Sequence, residues 1–377
     1  LWACYILFMN FKILVLFCLG VLFFAACEDV SDQKVLNDIK SMSLTERMSA
    51  ERMQKFEIEN AEEREAVCND GSPGVYYFRP GSGKDSEKWI MVLEGGGGCS
   101  SGDSCKEQWR KEPEKMTSTV YEDTRLVRGL LSSVPRINPD FYEFNHVYVP
   151  MCSSDGWAGD SKVWYDDLLI HYRGKNIVES VIEDLEIKKG SELLFAGSSA
   201  GGQDVSQNLD RVAAMLPNLE VKGIIDAAWK QDIPAFGSGE TYSYAGRYEE
   251  HDVELDETCV SANSADPTKC YQTVNLYEHI STDAFISLDM NDSKQLSNLG
   301  INDPNDSEQI EYIEHYMKLA RGQLADLENV FAYAFGAHTA LTNERFYEIE
   351  VNGLRLRDAI ANWYFERSGE TRAVLGD

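Results

Sequence analysis

From about Cys68 onward the chain alternates short apolar runs with longer amphipathic stretches, and the runs stop at Gly, Ser, Asp or Asn. The runs at 89–93, 146–150, 192–196, 221–225, 284–288 and 329–335 are continuous rather than alternating, as central strands covered on both faces are. Between them, 175–188, 203–216 and 306–327 carry apolar residues at helical spacing. The last begins acidic and places Lys318 and Arg321 later, complementing the helix dipole. Strand and helix in alternation predict an α/β fold with a mostly parallel central sheet and helices on both faces. The stretch from Ile233 to Tyr277, rich in Gly, Ser, Tyr and acids, reads as an inserted lid or loop region.

Ahead of this, residues 28–65 are charged, lack Gly and Pro, and space Met42, Leu44, Met48, Met53 and Phe56 loosely as a helix would. They read as a tether that becomes a helix, leaving 66–377 as the catalytic domain. Residues 1–27 read as an export leader. Met9 to Ala26 pairs a short start bearing one Lys with an apolar run ending in small residues, and Leu1 to Phe8 precede a start at Met9. The apolar run is shorter than the roughly 20 residues of a spanning helix. Ala25-Ala26-Cys27 resembles a bacterial lipobox, so lipidation at Cys27, or simple cleavage, is expected. The protein is then an exported lipoprotein of the outer membrane or cell surface, or a secreted or periplasmic one. Its membrane contact is limited to that anchor.

With 43% hydrophobic and 11% aromatic residues, the chain can bury a core. Asp and Glu number 63 against 35 Lys and Arg, a formal charge of -28 that repels nucleic-acid phosphates and disfavours strongly anionic polymers. Outside the leader there are six cysteines. In an exported chain these suggest disulfides, with short spacing favouring Cys99–Cys105 and Cys259–Cys270 and leaving Cys68 for Cys152; sequence alone permits fifteen connectivities. No CxxC or HxxxH accompanies them, so no metal site is expected.

The chemistry centres on Gly197-Ser198-Ser199-Ala200-Gly201, which follows an apolar run and precedes a helical stretch. That is the setting of a G-x-S-x-G nucleophile elbow, where small neighbours permit a sharp turn that lifts the Ser199 oxygen off the sheet. Glu94-Gly95-Gly96-Gly97-Gly98-Cys99 follows an earlier strand. The N–H groups of Gly96, Gly97 and Ala200 are candidates for stabilising an oxyanion, at about 3 to 4 kcal/mol per donor. A phosphate loop is the rival, but no Lys-Ser or Lys-Thr follows. The possible bases are His146, His171, His251, His279, His315 and His338. Chain order of nucleophile, acid and His selects His338, after the last strand; His146 and His171 precede the elbow, and His315 lies within a helix. Asp292 follows the strand at 284–288 and is the favoured acid. Asp289 is its close rival, and Asp226, ending the strand after the elbow, is a further alternative.

These blocks resemble the pectin acetylesterase and Notum-type carboxylesterases, a family with the α/β-hydrolase fold. The resemblance spans nearly all of Ala66 to Glu366. It rests on Cys68-Asn69-Asp70-Gly71-Ser72-Pro73 with Tyr76-Tyr77, Leu93 to Gly96 with Cys99 and Cys105, Cys152-Ser153-Ser154-Asp155-Gly156-Trp157, and Ala196 to Gly202. Asp226 with Trp229, and Asp292 with Gln295-Leu296, resemble later family motifs. The resemblance implies Ser199, Asp292 and His338 as triad and a serine esterase that needs no cofactor. The family removes acyl groups from sugars or, in animals, a lipid acyl group from a signalling protein. Gly97 and Gly98 stand where the animal branch carries bulky aromatics, so short acyl esters on carbohydrate are the expected substrates. Trp157 and Trp229 are candidates for lining the acyl or sugar site. An acyltransferase or thioesterase with the same triad, and a carbohydrate-binding protein without chemistry, are the alternatives.

Overall fold

The computed structural model describes residues 51–239, 245–302, 304 and 306–376. The leader, with Cys27, and the tether as far as residue 50 lie outside the described residues.

The strands are Arg52–Glu57 (β1), Val75–Arg79 (β2), Lys88–Leu93 (β3), Thr124–Leu126 (β4), Asn145–Val149 (β5), Ser161–Tyr165 (β6), Leu168–Tyr172 (β7), Glu192–Ser198 (β8), Glu220–Asp226 (β9), Ala284–Asp289 (β10), Val330–Tyr333 (β11), Glu350–Val351 (β12), Leu354–Arg355 (β13) and Ala373–Val374 (β14). Ten of them form one sheet in the order β14-β11-β10-β9-β8-β3-β5-β2-β1-β4. Every pairing from β14 to β5 is parallel. The three at the β4 edge are antiparallel.

The continuous apolar runs are explained by two cores, one on each sheet face. On β3, Met91 and Leu93 join the core shared with Ile177, Val205 and Leu324, while Ile90 and Val92 join the core shared with Leu356, Ile360 and Phe346. Successive side chains of a strand point to opposite faces, so a strand buried on both must be apolar throughout. The helices that cover these faces include Gly174–Asp184 (α2), Ala200–Met215 (α3), Ser307–Leu324 (α7) and Leu356–Tyr364 (α8); Gly102–Lys111 (α1) lies between β3 and β4 in sequence. This is the α/β-hydrolase arrangement. Within the inserted stretch lie the short helices Ala245–His251 (α4) and Glu257–Ala262 (α5), and Ser293–Asn298 (α6) follows β10.

Two boundaries differ from the sequence reading. Residues 52–57 are not the end of a helical tether but strand β1, paired with β2 and β4, so the sheet begins well before residue 66. Met53 and Phe56 look like one helical face, yet only Met53 enters the core, and Phe56 is 42% exposed. The last central strand is also shorter than expected, ending at Tyr333, because the chain turns there into the loop that carries His338.

Candidate active site

Strand β8 runs into helix α3 through Ser199, which adopts φ 58° and ψ -116°. A non-glycine residue in this region costs about 1–3 kcal/mol and persists where its surroundings hold it. Here Ser199 N donates to the Asp226 carbonyl at 2.8 Å. The flanking glycines make the turn possible: a Cβ at Gly197 would stand 2.2 Å from the Gly201 carbonyl oxygen, and one at Gly201 2.3 Å from that of Leu93.

Three side chains that the sequence singles out meet at this turn. Ser199 Oγ lies 2.8 Å from His338 Nε2, and His338 Nδ1 lies 2.7 Å from Asp292 Oδ2. Asp292 is fully buried and caps α6, accepting the main-chain N–H groups of Lys294 (2.8 Å) and Gln295 (3.0 Å) and, on Oδ2, the Gln295 amide (3.3 Å). The Tyr316 hydroxyl, from α7, donates to Gln295 Oε1 at 2.8 Å. An ionised carboxylate only accepts, so the His338 proton belongs on Nδ1, leaving Nε2 to receive the Ser199 proton.

The rival acids do other work. Asp289 accepts the N–H groups of Asn291, Phe335 and Ala337, the last at 2.6 Å. Asp226 accepts from Ser198 Oγ at 2.7 Å, Ser287 Oγ at 2.9 Å and Ala340 N at 3.1 Å. Both brace the loop bearing His338 from neighbouring strand ends, while the imidazole nitrogens are taken by Ser199 and Asp292. Burial pushes the Asp289 carboxyl up to about 6 against these hydrogen bonds, and raises that of Asp226. His146 is buried between Arg79 and the Phe141 carbonyl, where burial lowers its pKa to about 3. His315 is exposed on α7.

Gly95, Gly96 and Gly97 line a cleft of about 520 Å³ together with Ser199 and His338. A Cβ on Gly95 would stand 2.9 Å from that of Ser199. The Ala200 N–H opens α3 and has no partner within the helix, as at any helix start. Beneath this loop lies a clamp that the sequence did not signal. Glu94 takes Lys115 at 3.0 Å, Arg125 at 2.6 Å and the Met151 N–H at 2.9 Å. Lys115 Nζ also donates to the Gly95 carbonyl at 3.3 Å. Burial pushes the Glu94 carboxyl up, and the Lys115 and Arg125 charges reverse this and hold it below its ordinary value.

Trp157 and Trp229 do not line this cleft. Both are built into the core, with the indole N–H of Trp157 on the Glu94 carbonyl (2.9 Å) and that of Trp229 on Gln323 Oε1 (3.0 Å). The cysteines form the bonds Cys68–Cys152, Cys99–Cys105 and Cys259–Cys270. The second closes the end of the glycine loop. On the same loop, the Cys99 carbonyl meets His251 Nε2 at 2.8 Å and the Gly98 carbonyl accepts from Arg247 at 3.4 Å, tying α4 to it. Among the described residues no group of three or more His, Cys, Asp or Glu is placed to hold a metal, and no helix is long and apolar enough to cross a membrane.

The model of the family described as Pectinacetylesterase matches residues 47–374. The palmitoleoyl-protein carboxylesterase NOTUM of Schmidtea mediterranea is 29% identical over 90% of this chain and 68% of its own length. Its namesake from Drosophila melanogaster is 31% identical over 79% of this chain, which spans only 46% of that relative. A crystal structure of the Wnt deacylase Notum from Drosophila superposes with a TM-score of 0.79 at 28% identity, covering 87% of this chain and 96% of that one.

Proposed function

Because the chain belongs to the pectinacetylesterase family, and so is a serine carboxylic-ester hydrolase, we propose that Ser199, His338 and Asp292 are its catalytic triad and that it removes acetyl or other short acyl groups from polysaccharide. The observation that carries the triad is the unbroken path from Ser199 Oγ through both imidazole nitrogens to Asp292. Ser199 Oγ attacks the ester carbonyl and its proton passes to His338 Nε2. The N–H groups of Gly96, Gly97 and Ala200 receive the negative charge that develops on the carbonyl oxygen. His338 returns the proton to the leaving alcohol, and a water activated by the same nitrogen then hydrolyses the acyl-enzyme. Asp292 holds the tautomer and stabilises the imidazolium.

Beside the apolar Val92 and Leu93, the cleft offers hydrogen-bonding partners to a hydroxylated substrate in Glu112, Lys115, Lys294, Thr339 and Thr342. A bulky wall at residue 98 has no room: a Cβ there would stand 2.9 Å from the Ser154 carbonyl oxygen and 3.1 Å from Arg247 Nη1. A second reading, release of a long acyl chain from a lipidated protein, is favoured by the names of the relatives.

The deciding experiment measures acetate released from acetylated xylan and acetylated pectin, and p-nitrophenol from esters of graded chain length, for wild type and Ser199→Ala. Short-chain turnover lost in Ser199→Ala supports the proposal. A rate that peaks at long chains and is absent on both polysaccharides overturns the substrate assignment, and full activity in Ser199→Ala overturns the triad.

A further inference from the structure

Against α1 lies a second hollow, of about 480 Å³. Its floor is apolar, formed by Met116, Ile170 and Cys105, and Asp70, Lys106 and Arg110 contribute polar groups to its wall. Trp109 lines it and leaves 44% of its surface exposed. A second exposed indole lies on the neighbouring hairpin. Trp164 is 66% exposed and pairs across β6 and β7 with Leu169, itself a lining residue, so the two side chains share one face of the hairpin. A large exposed apolar surface rimmed by polar groups marks an interaction site more often than a packing accident.

The chemistry of the hollow selects its occupant. An apolar ligand would cover the indole but strip water from Lys106 and Arg110, which make no ion pair among the described residues, and from Asp70, whose Oδ1 is already taken by Ser72. A pyranose ring offers an apolar C–H face to the indole and equatorial oxygens to the rim. We propose that this hollow is a glycan subsite, distinct from the catalytic cleft, in which Trp109 stacks on one sugar unit of the polysaccharide being deacylated. The proposal rests on the polysaccharide reading above.

Helix α1 gives the subsite its use. Its Gln108 packs against the glycine loop at Gly97, donating to Ser154 Oγ at 2.8 Å, and Glu112 and Lys115 just beyond its end line the cleft. The chain thus runs from Trp109 in the hollow to Glu112 in the cleft, and three residues span at most about 11 Å. A chain held at Trp109 raises the effective concentration of its neighbouring acyl groups at Ser199 without touching the reacting atoms.

The test separates polymer from small ester. Trp109→Ala should raise KM for acetylated xylan or acetylated pectin roughly five- to tenfold, leaving kcat and the turnover of p-nitrophenyl acetate unchanged, and Trp109→Phe should retain most of the affinity. An unchanged KM on both polymers, or an equal fall on the small ester, overturns the subsite. Calorimetry with xylohexaose and with hexagalacturonate, neither of which carries an ester, reads the hollow independently of catalysis. Wild type should bind at least one of them and Trp109→Ala should not. If Lys106→Ala/Arg110→Ala abolishes binding of hexagalacturonate alone, the rim recognises uronate carboxylates; if xylohexaose binding persists in that variant, stacking suffices for neutral chains. Failure of wild type to bind either, or Trp109-dependent binding to phosphatidylglycerol vesicles in their place, overturns the proposal. Binding without acetate release would instead refute the functional reading and leave the subsite standing.

Discussion

The Lys115 ammonium lies 3.3 Å from the carbonyl oxygen of Gly95. In a trans peptide the C=O and the following N–H point in opposite directions, so holding the Gly95 oxygen also sets the direction of the Gly96 N–H, a proposed oxyanion donor. Glu94 holds Lys115 in turn. Lys115→Met is expected to lower kcat on p-nitrophenyl acetate about 10- to 100-fold with KM within about twofold, since the donor matters only where charge develops. Steady-state kinetics would expose the opposite pattern, a rise in KM alone, if Lys115 simply contacts substrate.

The three candidate acids are separable by what each one touches. Asp292→Asn should cut kcat by roughly 10⁴, because an amide favours the wrong imidazole tautomer, and it should also lower stability, since the carboxylate caps α6 and accepts from Gln295. Asp289→Asn and Asp226→Asn should lose a comparable amount of stability, about 1–3 kcal/mol, as buried donors go unpaired, while reducing activity far less. Paired thermal melts and kinetics on the three variants check this. A larger kcat loss for Asp289→Asn or Asp226→Asn than for Asp292→Asn would reassign the acid.

Two buried carboxyls make stability depend on pH. Burial raises Asp155 to about 6 against hydrogen bonds from Ser153, Gly174 and Trp157, and Asp289 to about 6 likewise. In the unfolded chain an Asp titrates near 3.9. Between these values the folded state binds more protons than the unfolded, so this contribution is complete below about pH 4 and is lost as pH rises through about 6. Asp155→Asn, whatever its constant cost, should flatten the fall in melting temperature between pH 4 and 7. Calorimetric melts across that window that keep the wild-type slope would disprove the assignment.

The disulfides differ in the length of chain they close, 84 residues for Cys68–Cys152 and 11 for Cys259–Cys270. On the chain-entropy account the longer loop contributes more, about 4–5 kcal/mol against about 3. Cys68→Ser/Cys152→Ser is therefore expected to melt lower than Cys259→Ser/Cys270→Ser. The order is read directly from denaturant midpoints.

Much of this was visible in the chain because the central strands are buried on both faces and must be apolar throughout, and because Gly197 and Gly201 flank Ser199 for steric reasons that any such turn imposes. Strand β1 was hidden because Met48, Met53 and Phe56 fit a helical spacing that the β2 and β4 partners override. Helix α8 carries a plain signal, Leu356, Ala359, Ile360 and Trp363 at helical intervals, all buried. It bears none of the candidate chemistry, which in chain order ends at the His338 loop. The aromatic residues misled for another reason: a tryptophan beside a motif suggests a pocket, whereas Trp157 and Trp229 spend their rings on the core and their N–H groups on nearby acceptors. Lys115 had no signal at all, since its partners Glu94 and Gly95 are some 20 residues away in sequence and only the fold brings them together.

The loop bearing His338 is fastened at Ala337 by Asp289 and at Ala340 by Asp226, while Asp292 leans on Gln295 and, through it, on Tyr316 in the packed interior. The proposed triad is therefore tied to the sheet and is expected to open only with it. Amide exchange at Ala337 and Ala340 would then proceed only through global opening, and heat would abolish turnover and tertiary structure in one step.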